Sequence, residues 1–332
     1  MARIDFIIPA FNEGPALERF HSALVEALAG LNKHAFRFIY VDDGSTDNTS
    51  HVLGRLSQSD PRVAGIELSR NFGHQAAISA GIDAFDADAV VMMDGDGEHP
   101  PSLVPEMVRL FEAGYDIVQT QRIDRKRKAF LFKRAMSSLF YRVINRLGET
   151  NVVVGAADFR LLSRDAAEAL RRLPEYHRFY RGMVQWIGFR SVVLPYIPGG
   201  RIEGRSKYSL RKMLRLAAHG IFSFSLAPLR LGFVIGGVFI LLALAQSIYV
   251  LSFWFRHETS KLVPGWSSLM LVLTLSSGTS MLLLGVLGIY IGMIFAEVKR
   301  RPVYLVRRTN SRGALAPSEQ AHVASAPSGE AI

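Results

Sequence analysis

Asp94 and Asp96 stand one residue apart in VVMMDGDGEHPPS (90–102), directly after four apolar residues. Two carboxylates at that spacing can hold a hard divalent cation, Mg2+ or Mn2+, and the cation can grip a diphosphate. The same stretch equally suits a solvated turn, because Gly95 and Gly97 accept tight backbone geometry. A second acidic pair, Asp42 and Asp43 in VDDGSTDNT, also closes an apolar run, and paired carboxylates can accept hydrogen bonds from a polar ligand. Asp47, a few residues on, better fits the role of capping the turn into the next helix. With no cysteine in the chain, disulfides, thiolate metal sites and cysteine nucleophiles are excluded.

The elements that must position these acids read as alternating strands and helices. IDFIIPA, FRFIYVDDG, VAGIELS, AVVMMDGD and YDIVQTQ are short, apolar and β-rich, as strands covered on both faces should be. Leu17, Phe20, Leu24 and Leu28 keep helical spacing behind Pro15, and further helices are expected over Asn48–Leu56, Gly73–Ala84 and Pro101–Glu112. Regular alternation predicts an α/β fold with a mainly parallel, doubly wound sheet, whose ligands bind beyond the carboxyl ends of the strands. FNE, DDGSTD and DGDGEH all fall at those ends.

The second half of the chain is of another kind. Leu231–Phe255 and Leu262–Ala296 carry no charge, and each is long enough as a helix to cross a hydrocarbon core of about 30 Å. Basic stretches flank the pair (RSKYSLRKMLR before, EVKRRPVYLVRR after), whereas the connection RHETSK is short and nearly balanced. The positive-inside bias then predicts a two-pass hairpin in the cytoplasmic (inner) membrane, with both termini and the amino-terminal region cytosolic. MARIDFIIPAFNE does not resemble a secretory signal. Basic amphipathic helices are expected at about 128–148 and again at 206–228, suited to an interface of anionic membrane lipids. In the first, Phe132, Met136, Leu139, Phe140, Val143 and Leu147 share a face, with Lys133, Arg134, Arg142 and Arg146 mostly off it. The net charge of +10 thus concentrates beside membrane-active segments and without a nucleic-acid module, which argues against nucleic acid as a partner.

IIPAFNE, VDDGSTDNT, LSRNFGHQAAISAG and DGDGEHPPS occur in the order seen in glycosyltransferase family 2. With DFRLLSR, RFYRGMVQWIGF, GRIEGRSKYSLRKM and the two-span end, the chain more narrowly resembles the polyprenyl-phosphate hexosyltransferases, the dolichol-phosphate mannose synthase-like group. The resemblance runs to about Arg308. It implies a GT-A type, Rossmann-like cytosolic domain over 1–205, a second interfacial helix and linker over 206–228, and a transmembrane pair within 229–298. The spans are expected at about 231–255 and 267–295, and a basic juxtamembrane segment and disordered tail over 299–332, the tail beginning after about Arg308.

The resemblance also implies roles. Pro9, Phe11 and Glu13 match positions lining the nucleotide base and ribose, Asp42 and Asp43 the acidic pair that recognises them, and Asp94 and Asp96 the metal-binding pair. Relatives usually show Leu-Gln where Gly97 and Glu98 stand, so Glu98 is either a third, charged metal ligand or turned elsewhere. His99 reads as structural. Arg122 and Arg134, with Ser138, match an acceptor-phosphate clamp. Asp158 matches a position for a catalytic base or acceptor orienter, or is a buried partner of Arg160. Arg178 and Arg181 are expected to face the diphosphate, and Arg205 and Lys207 to belong to a loop over the donor. The implied partners are a nucleotide-sugar donor and a polyprenyl phosphate, the implied reaction inverting transfer between them; a homo-oligomer stays open. A non-catalytic tether binding nucleotide sugar and a processive polysaccharide synthase are the rival readings, though QWIGFR only superficially matches the Gln-x-x-Arg-Trp motif of such synthases.

Overall fold

The computed structural model describes residues 1–123, 156–176, 178–198 and 265–311, with isolated positions between 235 and 255. Among the described residues eight strands form one sheet: β1 (Arg3–Ala10), β2 (Ala35–Asp42), β3 (Val63–Leu68), β4 (Ala89–Met92), β5 (Ile117–Arg122), β6 (Ala156–Ser163), β7 (Ser191–Tyr196) and β8 (Val306–Ser311). Their order is β7-β5-β6-β4-β1-β2-β3-β8. β1 pairs parallel with β2 and β4, β2 with β3, and β5 with β7. β6 runs antiparallel between β4 and β5, and β8 antiparallel along β3. The α/β, mainly parallel expectation therefore holds, with two antiparallel strands added.

Period-two alternation puts the sheet's side chains into two cores. Ile4, Phe6 and Ile8 of β1 meet Leu17, Phe20 and Leu24 of α1 (Gly14–Leu28), together with α2 (Thr49–Ser59) and α4 (Val104–Glu112). Ile7, Ile39 and Val41 face the other way, onto α3 (His74–Ala84), α5 (Arg164–Arg172) and α6 (Tyr180–Trp186). Each fully buried Leu or Phe contributes about 1.5–3 kcal/mol of transfer free energy, so both faces fix the sheet firmly. Pro15 sits in the first turn of α1, where its missing N–H costs nothing. A 3-10 turn over Pro101–Leu103 precedes α4, splitting the single helix expected from Pro101.

Because six strands run the same way, the ends of β1, β2, β3, β4, β5 and β7 open on one edge of the sheet. β6 starts at that edge, since Ala89 at the start of β4 pairs with Ser163 at the end of β6, and Met92 at the end of β4 with Arg160. Asp94 and Asp158, each two residues further toward the edge, are thereby brought side by side.

Helix α7 (Trp266–Val298) covers the second expected span, and its stretch Leu275–Val298 is long and apolar enough to cross a membrane. It is not buried against the rest of the described chain. The first expected span, 231–255, lies outside the described residues except at isolated positions, among which Val238, Leu241, Ile248 and Phe255 are exposed. The interfacial helices expected at 128–148 and 206–228 also lie outside the described residues, and with them Arg134, Ser138, Arg205 and Lys207.

After α7 the chain returns to the sheet. Tyr304 is buried and its hydroxyl donates to Asp83 Oδ2 at 2.7 Å, Ser69 N–H donates to the Leu305 carbonyl at 2.8 Å, and β8 lines the edge of β3. Arg308 Nη2 lies 2.7 Å from Glu67 Oε2. Thr309, Asn310 and Ser311, expected in the disordered tail, are thus part of the sheet. The strand is too polar to announce itself by hydrophobicity; its partners include the backbone groups of an edge strand, the Glu67 carboxylate and the Ser50 hydroxyl.

Candidate functional site

The open edge holds three groups of polar side chains. The first joins the loops after β1 and β2. Asn12 N–H donates to Ser45 Oγ (2.9 Å), Thr46 N–H to Asn12 Oδ1 (2.8 Å) and Glu13 N–H to Thr49 Oγ1 (3.0 Å). Asp47 accepts from the N–H of Thr49 at 2.9 Å, the turn-capping role that its position suggested. Pro9 is buried in β1, while Phe11 and Glu13 are half-buried at the rim. Gly44 is required here: its φ is +65°, and a Cβ would stand 2.3 Å from the backbone carbon of Arg70.

The two neighbouring acids split their tasks. Asp43 accepts from Phe72 N–H (2.7 Å) and Gly73 N–H (2.9 Å), pinning the loop between β3 and α3. Asp42 Oδ1 accepts from Ser45 N–H (2.9 Å), but its Oδ2 is buried without a hydrogen-bond partner. Burial pushes both carboxyls above their ordinary pKa; the N–H bonds of Phe72 and Gly73 pull Asp43 back, and the side chain and N–H of Ser45 pull Asp42 back. An acceptor left open on a buried carboxylate is costly unless a ligand fills it.

The second group follows β4. Asp94 N–H donates to His99 Nδ1 at 2.8 Å, and the His99 ring stacks on Phe159 with centroids 5.1 Å apart. His99 is therefore the structural residue expected of it, closing the 94–99 loop. Asp96 Oδ1 accepts from Glu98 N–H at 2.9 Å. Glu98 turns to Arg122, with Oε2 and Nη1 2.9 Å apart. The three-carboxylate set of Asp94, Asp96 and Glu98 is not gathered, and among the described residues no three His, Asp or Glu side chains converge as a metal cage. The ionic attraction of Arg122 accounts for the departure of Glu98. Asp94 and Asp96 nonetheless fit a Mg2+-like ion, which is commonly bound through one or two carboxylates and completed by substrate phosphates and water.

The third group gathers around β6. Asp158 is buried between Arg160 Nη2 (2.8 Å) and Arg181 Nη2 (2.7 Å). Burial works against its charge, but the Arg181 and Arg160 guanidiniums outweigh it and hold the carboxyl well below the usual range. Burial also pushes the Arg160 guanidinium down to about 10, Asp158 notwithstanding. Of the two arginines expected at the diphosphate, Arg181 lies at the site. Arg178 turns inward, its Nη1 3.2 Å from the Tyr180 hydroxyl and its Nε donating to the Glu175 carbonyl. His74, at the start of α3, was not singled out from the sequence, yet its Nε2 lies 3.6 Å from Asp94 and 3.8 Å from Asp158. The signal was its place directly after Asn-Phe-Gly, at the turn from a strand end into a helix.

A mostly parallel α/β sheet with acids and arginines gathered beyond its strand ends is the arrangement in which such folds bind ligands. Residues 5–171 match the family model of glycosyl transferase family 2. The chain is 36% identical over 306 residues to the uncharacterized glycosyltransferase YkcC of Bacillus subtilis, covering 92% of this chain and 93% of that one. It is 33% identical over 309 residues to the prophage bactoprenol glucosyl transferase homolog of Escherichia coli, covering 92% and 99%. Against the bactoprenol glucosyl transferase of Shigella phage SfV the figures are 33% over 313 residues, 93% and 100%. The chain belongs to glycosyl transferase family 2. The family model ends inside α5, so Arg181, β7, α7 and β8 lie beyond it.

Proposed function

We propose that the protein is a membrane-bound, inverting glycosyltransferase that moves a hexose from a UDP- or GDP-sugar to a polyprenyl phosphate such as undecaprenyl phosphate. The product is a lipid-linked sugar for modifying cell-envelope glycans. The observation that carries this reading is the site's charge layout: Asp94 and Asp158 side by side at the open edge, with Arg181 on one flank and the open Asp42 oxygen on the other. Two anionic phosphates must meet there, and the chain supplies both the cations and a place for a metal. The full-length likeness to proteins named bactoprenol glucosyl transferases supports the lipid acceptor. Helix α7, exposed and apolar, supports an integral membrane protein; the paired span and the cytosolic placing of the site rest on the sequence.

In this reading Pro9, Phe11 and Glu13 line the base and ribose, and Asp42 accepts from a hydroxyl or base N–H. Asp94 and Asp96 hold the divalent ion, with Glu98 retained by Arg122. When bound, the ion offsets the charge that develops on the leaving diphosphate. Arg134 and Ser138 receive the acceptor phosphate, joined by Arg122, whose bond to Glu98 fixes its direction. Arg205 and Lys207 close over the donor. A phosphate monoester has its second pKa near 6, so the nucleophile is ionised at neutral pH without a base. The protein's contribution is to orient the phosphate oxygen behind the anomeric carbon and to exclude water.

The test is nucleoside-diphosphate release by detergent-purified protein. A panel of UDP- and GDP-sugars is supplied with Mg2+ or Mn2+, and polyprenyl phosphate is added or omitted. Release requiring one donor and the lipid, with labelled sugar entering the organic phase, is expected. Tight donor binding without lipid-dependent release would overturn the transferase reading in favour of a tether.

A further inference from the structure

A file of polar side chains runs along the floor between β4 and β6: His99, Asp94, His74, Asp158 and Arg181. His74 Nε2 stands 3.6 Å from Asp94 Oδ1 and 3.8 Å from Asp158 Oδ2. Exposure separates the members. The side chain of Asp158 is 7% exposed and that of His74 is 40% exposed. Asp158 spends its two oxygens on Arg160 and Arg181. A carboxylate held ionised in that way is a weak proton acceptor, and the proposed reaction does not call for one.

The position of His74 is fixed from behind. Asp43 pins Phe72 and Gly73, the two residues before it. Gly73 has φ +102°, a conformation that L side chains rarely adopt. The next residue, Gln75, accepts from Tyr180 N–H at 3.2 Å, tying the first turn of α3 to α6, which carries Arg181. The backbone on either side of His74 is thus held, while its side chain stays partly exposed.

We propose that His74, rather than Asp158, is the side chain that meets a reacting phosphoryl oxygen at this corner, and that Asp158 is a positioning residue acting through Arg181. The inference rests on the transferase reading above. An imidazole N–H is a directed donor to a phosphate oxygen. The oxygen belongs to the donor's diphosphate or to the lipid's monophosphate, and both present the same chemistry.

The experiment compares His74→Ala, His74→Gln, His74→Asn and Asp158→Asn in the full chain. It measures kcat and the two KM values separately, the thermal midpoint, and calorimetric binding of nucleoside diphosphate. Losing one phosphate donor should lower kcat/KM about 100-fold in His74→Ala. Gln, whose amide can reach the place of Nε2, should recover about tenfold of that; Asn is too short and should not. A rise in donor KM with weaker nucleoside-diphosphate binding assigns the contact to the donor, and a rise in lipid KM alone assigns it to the acceptor. Asp158→Asn should lower kcat with the shape of the pH profile retained. His74→Ala within twofold of wild type, or Gln no better than Ala at an unchanged thermal midpoint, would overturn the proposal. So would Asp158→Asn removing the acid limb of the pH profile. If the wild type transfers to no lipid, the transferase reading fails by itself. The same variants are then compared for binding nucleoside diphosphate and inorganic phosphate, and unchanged affinity for both overturns the role of His74.

Discussion

Replacing each acid of the Asp42–Asp43 pair by Asn should give opposite results, although the residues are adjacent and chemically identical. Asp43→Asn keeps Oδ1 for Phe72 N–H but turns an amide toward Gly73 N–H, which bonds Oδ2 at 2.9 Å. Hydrogen bonds to a charged group contribute about 1.5–3 kcal/mol each, so one lost and one weakened gives roughly 2–4 kcal/mol of destabilisation. At about 2–4 °C per kcal/mol, the thermal midpoint should fall by roughly 4–16 °C. Asp42→Asn keeps the bond from Ser45 and removes a buried charge whose second oxygen has no partner. Relief of that charge offsets the new unpaired amide, and stability should change by about 1 kcal/mol or less. The loss should instead appear in ligand affinity, roughly 10- to 100-fold in Kd for nucleoside diphosphate. The pH dependence has a defined sign. Burial raises the folded pKa of Asp42 above its unfolded value. Wild type therefore gains stability relative to Asp42→Asn as pH falls through the raised folded value, and loses it as pH rises. Thermal melts in detergent with and without nucleoside diphosphate measure both quantities. If Asp42→Asn melts as low as Asp43→Asn and binds nucleotide normally, the division of labour is refuted.

Asp96→Asn should abolish transfer with the protein still folded, whereas Glu98→Gln, which removes the charge paired with Arg122, should leave the Mn2+ concentration for half-maximal activity within about twofold; substantial activity in the first, or a large shift in the second, would reverse their assignments. Tyr304→Phe removes the bond to Asp83 and should cost about 1–3 kcal/mol, read from thermal unfolding, because the buried carboxylate-bound hydroxyl is lost. No change in the melt would mean that the returning segment does not brace α3. Arg134→Ala should chiefly raise the lipid phosphate needed for half-maximal rate, and an unaltered lipid dependence at wild-type turnover would remove Arg134 from the acceptor path.

Much of the fold was legible because a strand buried on both faces must be apolar throughout, and Val90–Met93 or Phe38–Val41 can be little else. Asp94 and Asp96 were legible because charge ending such a run needs a reason. What the sequence hid was direction and partnership. Asp42 and Asp43 look alike in one dimension; only the approach of Phe72 and Gly73 distinguishes them. Glu98 stands in register with two metal-type carboxylates, and its attachment to Arg122 depends on β5 lying nearby. Arg178 and Arg181 are three apart, yet Arg178, just ahead of α6, meets the Tyr180 hydroxyl, while Arg181, in the first turn of α6, meets Asp158. β8 escaped because Arg307 and Arg308 read as a basic membrane flank, and pairing with Glu67 from 240 positions earlier has no local signature.

The returning strand also sets a timetable. Translation delivers β3 early and β8 near the end, at roughly 5–20 residues per second, so that edge stays open for roughly 10–50 s. All that time β3 offers unpaired backbone groups to any passing chain. Ser69 waits as long for the Leu305 carbonyl, and the loop that orients His74 waits with it. The longest helix among the described residues is made within that interval, so this edge of the sheet is sealed only after α7 has left the ribosome. A chain cut short before Val306 keeps its acids and arginines but carries an unsealed, aggregation-prone border.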